Sequence, residues 1–195
     1  MTFFQIKNYA DEFIQATKGK VAEAVPSSDE SVQIVATGIA QTTNDFILKT
    51  LDQDFKGHPF AEFFAELMKA MGWRTRVSPP GTDKGVDIVA YKDQLDLQPP
   101  RVKVQAKSGS GSVGDPAVSQ LYGKVGQGEF GIVVTTSSFT PQAKAFADGK
   151  TNLRLIDGDA LVDLIFEFYD KLDVRYKRLL PLKRIYVPEA FEETE

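Results

Sequence analysis

From His58 onward the chain changes secondary-structure period every ten to fifteen residues, and that alternation limits the fold more than any other feature. His58-Pro59 opens a helix with proline in its first turn, running through FAEFFAELMKAM and stopping at Gly72. Short strands are predicted at 73–78 (WRTRVS), 86–91 (VDIVAY) and 101–107 (RVKVQAK). Asp115-Pro116 starts a helix, 131–135 (GIVVT) is a buried strand, and Thr140-Pro141 starts another helix. A strand at 152–156 (NLRLI) precedes a long apolar helix capped by Asp159 and reaching Leu172. Helices and strands interleaved in the order α-β-β-β-α-β-α-β-α predict an α/β sandwich with a mixed central sheet flanked by helices.

The segment before His58 reads differently. Phe3, Phe4, Ile6, Tyr9, Phe13 and Ile14 recur at helical spacing in residues 1–25, and residues 26–31 (PSSDES) form a polar break. A second helix is predicted from Thr42 or Thr43, with Phe46, Ile47, Leu48, Leu51 and Phe55 as its apolar stripe. The predicted division is a helical extension at 1–57, offering a dimerising or linking surface, and an α/β domain at 58–195.

Composition excludes several chemistries. The chain of 195 residues has no cysteine, so thiol nucleophiles, disulfides and Cys-based zinc sites are absent. A single histidine, His58, cannot build a multi-His metal site, and its place before a helix-opening proline reads as structural. No apolar run approaches the roughly 20 residues needed to span a bilayer, and the start MTFFQIKNYADEF has no secretory pattern, so a cytoplasmic protein is expected. Net charge is −4, which argues against coating nucleic acid by bulk charge. Residues 73–110, however, hold 7 basic and 4 acidic groups, a local surface suited to phosphate.

The unusual residues lie on two neighbouring strands. In Val86-Asp87-Ile88-Val89-Ala90 a carboxylate interrupts an apolar strand, a costly placement unless it is paired or holds a metal. In Arg101-Val102-Lys103-Val104-Gln105-Ala106-Lys107, alternation puts Val102, Val104 and Ala106 on one face, with Gln105 and Lys107 on the other. If the strands pair, an acid, an amide and an ammonium meet beside the Ser108-Gly109-Ser110-Gly111-Ser112 loop. A hard cation such as Mg²⁺ takes oxygen ligands, here Asp87, the Gln105 side-chain oxygen and the Ala106 carbonyl. Lys107 would orient water and stabilise transition-state charge. The trio fits metal-assisted phosphodiester hydrolysis; it equally fits an Asp–Lys ion pair with a merely polar Gln105.

A resemblance bears on that choice. The stretches GWRTRVSPPGTDKGVDIVA, KVQAKS, VGDPAVSQLYGKV, FGIVVTTSSFTPQAKAFA and LRLIDGDALVDLI resemble the catalytic domain of Mrr-type restriction endonucleases, within the PD-(D/E)xK nuclease superfamily, over about residues 42–190. The resemblance implies a restriction-endonuclease-like fold and a Mg²⁺-dependent endodeoxyribonuclease, with Mn²⁺ as a substitute, acting on foreign or modified DNA. It places the catalytic Asp on Asp87 and the QxK variant of the last motif on Gln105 and Lys107. Relatives also imply homodimers or higher homo-oligomers, since cutting two strands needs two sites.

One position departs from the pattern. Many relatives carry Glu directly after the Phe that opens the first core helix, where this chain has Ala61. At 100° per residue Glu62 and Glu66 fall opposite the core stripe of Phe60, Phe64, Leu67 and Met71, so neither replaces it. The rival reading is therefore a nuclease-fold DNA-binding or assembly module that does not cut. Lys84, Ser108, Ser110 and Gln120 are the candidate DNA contacts. Asp83 reads as turn chemistry, Thr135–Ser138 as a phosphate-facing strand end, and Asp115 and Thr140 as helix caps. The basic run Arg175, Lys177, Arg178, Lys183 and Arg184 reads as a solvated face able to steer a duplex.

Overall fold

The computed structural model describes residues 29–81 and 85–184, with side chains described from residue 37 onward. The helix predicted within residues 1–25, and Asp83 and Lys84, lie outside the described residues. One compact unit spans Thr42–Lys183; residues 29–41 and Arg184 belong to a second.

Helix α1 (Asp29–Asp54) is already helical at Asp29, which corrects the predicted start near Thr42. Residues 29–31, read from sequence as part of a polar break, therefore lie inside the helix. Within the compact unit Ile47, Leu51 and Phe55, spaced by four, are buried, while Phe46 is 42% exposed. Helix α2 (His58–Ala70) has proline in its first turn as predicted, and its buried face is wider than one stripe: Phe60, Ala61, Phe63, Phe64, Ala65, Leu67 and Met68. It ends in a paired C-cap. Gly72 at φ 86° donates to Lys69 O, and the Trp73 amide reaches back to Met68 O, a left-handed turn that glycine makes without strain.

The sheet follows as β1 (Arg74–Val77), β2 (Ile88–Tyr91), β3 (Arg101–Lys107), β4 (Glu129–Thr135) and β5 (Leu153–Ile156), in that spatial order. β1, β2 and β3 pair antiparallel, whereas β3, β4 and β5 run parallel, so the sheet is mixed. The parallel pairs need crossovers, supplied by α3 (Asp115–Tyr122) and α4 (Pro141–Asp148). Helix α5 (Gly158–Phe168) runs into a 3₁₀ turn at Tyr169–Lys171, shorter than the single helix predicted to Leu172, and α6 (Val174–Leu179) follows.

Two cores flank the sheet. One joins α1, α2 and α5 to Ile88, Val104 and Val134; the other joins α3 and α4 to Val133 and Leu153. Val133 and Val134 alternate between them, as period two requires. Since Gln105 aligns with Val133 and Ala106 with Val134, Gln105 faces the α3 side.

Capping departs from sequence in two places. Thr140 caps α4 through the Ala143 amide as predicted. The cap of α5 is Asp157, which accepts from the Ala160 amide, and Asp159 lies within the first turn. At α3 the N-cap is Gly114, leaving Asp115 as a first-turn acid. The basic run near the C-terminus is partly α6, where Arg175 stacks on Tyr176 and Lys177 bonds the Asp170 carbonyl. Among the described residues no helix is long and apolar enough to cross a membrane.

Candidate active site

Asp87 lies one residue before β2, and the sheet grips its backbone from both sides. Its amide donates to Val104 O at 2.8 Å, and its carbonyl accepts from the Ser78 amide at 2.8 Å. Its carboxylate Oδ2 accepts from the Ala106 amide at 2.6 Å. This bond fixes the acid against the middle of β3 and satisfies an amide that β2 is too short to reach. It also orients Ala106. In a strand the N–H and C=O of one residue point to the same side, so the Ala106 carbonyl turns toward Asp87. The neighbouring Lys107 carbonyl points the other way and accepts from the Thr136 amide on the β4 side.

Gln105 is 1% exposed. Its Oε1 is buried and has no hydrogen-bond partner among the described residues. A buried amide oxygen without a donor costs about 1–3 kcal/mol, so a hard cation accepting that oxygen fits the site. Lys107 ends β3 with its side chain exposed, beside the Gly/Ser loop. The structure thus brings Asp87, Gln105 and Ala106 together, and sets Lys107 at the adjoining strand end. Among the described residues no group of three or more His, Cys, Asp or Glu could hold a metal, so any ion here would rest on one carboxylate and neutral oxygens.

Helix α2 adds no acid. Ala61 is buried at 2%, Glu62 lies 3.6 Å from His58, and Glu66 pairs with Lys69 at 3.2 Å. The two glutamates hold the outer helix face, as the 100° spacing predicts.

The loop after Lys107 is tied rather than free. Ser108 Oγ accepts from the Gly57 amide at 2.8 Å, linking the loop to the start of α2. Thr136 Oγ1 accepts from the Gly109 amide, Ser137 Oγ donates to Gly111 O, and Ser112 bonds Ser138. The hydroxyls of residues 136–138, read from sequence as phosphate-facing, are thus engaged by the loop itself. Ser110 is exposed at its tip.

At the far end of β3, Lys103 pairs with Glu129 and donates to Lys124 O, and Arg101 bonds Asp96. Burial pushes the Glu129 carboxyl up, but Lys103, the Gly126 amide and Arg101 outweigh it and hold the group below its ordinary range.

A residue that the sequence reading placed only in a turn stands beside Gln105. The turn residue Gly85, at φ 82°, comes so close to its neighbours that a Cβ there would lie 2.9 Å from Lys124 Nζ, 3.0 Å from Gln105 Nε2 and 3.1 Å from Gln120 Oε1. Gln120 reaches this point from α3 and Lys124 from just beyond its end. The only sequence signal is the glycine before Val86-Asp87, which by itself reads as a turn.

A model of the Mrr catalytic domain, described as a restriction endonuclease, matches residues 52–165. The chain belongs to the Mrr restriction endonuclease family. Asp87, Gln105 and Lys107 all fall inside the family match. The chain is 39% identical over 87 residues to the type IV methyl-directed restriction enzyme EcoKMrr of Escherichia coli (strain K12), covering 44% of this chain and 28% of that enzyme. The Mrr-family fold is also similar to that of the DNA modification-dependent restriction endonuclease AspBHI, with a TM-score of 0.56 at 21% identity, over 72% of this chain and 39% of that one. The chain therefore spans well under half of either relative.

Proposed function

We propose that this protein is a divalent-metal-dependent endodeoxyribonuclease of the restriction type, directed at foreign or modified DNA in the cytoplasm. The observation that carries the reading is the Asp87 carboxylate bonded to the Ala106 amide beside the buried Gln105 oxygen, which has no partner among the described residues. Asp87, Gln105 Oε1 and the Ala106 carbonyl would hold Mg²⁺, or Mn²⁺ in its place. A cation there supplies Lewis acidity, acidifying water and offsetting charge at phosphorus. Lys107, exposed at the strand end, orients the attacking water and stabilises the developing phosphorane charge. Gln120, Ser110 and Ser108 supply DNA contacts, and Lys84, outside the described residues, is kept from the sequence as a further candidate contact. Residues 1–57, the extension predicted from the sequence, are the proposed segment through which two copies pair, so that both strands can be cut.

A plasmid-nicking assay tests this, with Mg²⁺ or Mn²⁺ against EDTA, on methylated and unmethylated DNA. Metal-dependent conversion to nicked or linear product supports the reading. DNA binding without conversion in either metal favours the second reading, a non-cleaving DNA-binding module, for which Ala61 in place of an acid is the specific observation. Binding of either kind should fall steeply with salt, because neutralised phosphates release counterions.

A further inference from the structure

We propose that Lys124 is a second cation of the nuclease site, a positioning residue that sets the potential drawing a phosphodiester toward Gln105 and Lys107. The inference rests on the nuclease reading above and deepens it. Lys124 Nζ is buried and has no hydrogen-bond partner among the described residues. An ammonium is costly to bury unpaired, and a fold that needed only volume here could use methionine or leucine. Nor is the position an accident of a loose side chain. The Lys124 backbone is held at both ends, its amide by Leu121 O at 2.9 Å and its carbonyl by Lys103 Nζ at 2.6 Å.

The surroundings say what the charge acts on. Gly85 lets Lys124 Nζ, Gln105 Nε2 and Gln120 Oε1 converge on one point that any side chain at 85 would fill. Lys103, on the same face of β3, has Glu129 as its counter-ion, whereas among the described residues no ion pair forms at Lys124. With its Nζ buried and unpaired among the described residues, its field acts on the neighbouring groups with less screening than that of a solvated lysine. A positive field beside Gln105 has two effects of opposite sign. It attracts the phosphodiester, and it repels a divalent cation held by Gln105 and Asp87.

That opposition gives a test that a purely structural lysine would not pass. Lys124→Met keeps the length and removes the charge; Lys124→Arg keeps the charge. Binding of a short duplex is measured in EDTA at low salt, and the Mn²⁺ concentration giving half-maximal nicking is measured separately. Lys124→Met is expected to melt no lower than the parent, to bind duplex about three- to tenfold more weakly, and to need less Mn²⁺. Lys124→Arg should bind duplex close to the parent. Unchanged duplex binding in Lys124→Met overturns the proposal, as does a Met variant that fails to fold, because an unpartnered ammonium cannot be what the fold depends on. A parent that neither binds nor nicks DNA defeats the nuclease reading itself, a result visible before any variant is compared.

Discussion

The Asp87 carboxylate accepts the Ala106 amide at 2.6 Å, so one side chain both satisfies a β3 amide and holds its charge against the strand that carries Gln105. Asp87→Asn retains an acceptor oxygen and loses the charge, whereas Asp87→Ala leaves the Ala106 amide without its partner. The Asn variant should fold near parent stability and lose nicking, and the Ala variant should in addition lose about 1–3 kcal/mol in urea unfolding. Parent-level nicking by Asp87→Asn would remove Asp87 from the metal site.

Lys107→Ala should abolish nicking while leaving stability within about 0.5 kcal/mol, since the side chain is exposed and its truncation opens no cavity. The two measurements must be made on the same preparation. A folded variant that nicks at the parent rate would end the role given to Lys107.

Gln105→Glu replaces a dipole with a full charge at a buried position. If Gln105 belongs to the metal shell, the variant should bind Mg²⁺ about tenfold more tightly, which by mass action adds about 1.4 kcal/mol and raises the metal-induced shift in melting temperature by about 3–5 °C. Equal Mg²⁺ and Mn²⁺ responses in parent and variant would place Gln105 outside that shell.

Glu129 predicts an acid-labile element far from the chemistry. Its folded carboxyl is held below the ordinary value of 4.5, with burial opposed and outweighed by Lys103, the Gly126 amide and Arg101. A depressed group contributes stability that is present above its unfolded value and disappears as pH falls through its folded value. Urea midpoints of the parent should therefore fall more steeply than those of Glu129→Gln between about pH 5 and pH 3. Parallel profiles would show that the Lys103–Glu129 pair does not contribute.

Much of the sheet was legible because its signals are local. Alternation in RVKVQAK, the acid inside VDIVA, and proline after His58, Asp115 and Thr140 each report on a few neighbouring residues. Asp87, Gln105 and Lys107 could be grouped for the same reason, since β2 and β3 are consecutive and antiparallel. Lys124 could not. A lysine just past the end of a helix reads as solvated, whereas in the fold its ammonium is buried close to Gly85, 39 residues upstream. The caps at Asp157 and Gly114 failed for a smaller reason: two acids stand two residues apart at one helix start, and a glycine precedes the acid at the other.

The Ser108–Ser112 stretch has the composition of a flexible tether, yet Gly57, Thr136, Ser137 and Ser138 pin it along its length. Much of the ordering cost of this loop is thus met when the chain folds rather than when a ligand arrives. Truncating Thr136 or Ser137 would return that cost to the encounter, slowing capture of a long, stiff ligand without altering any group that touches it.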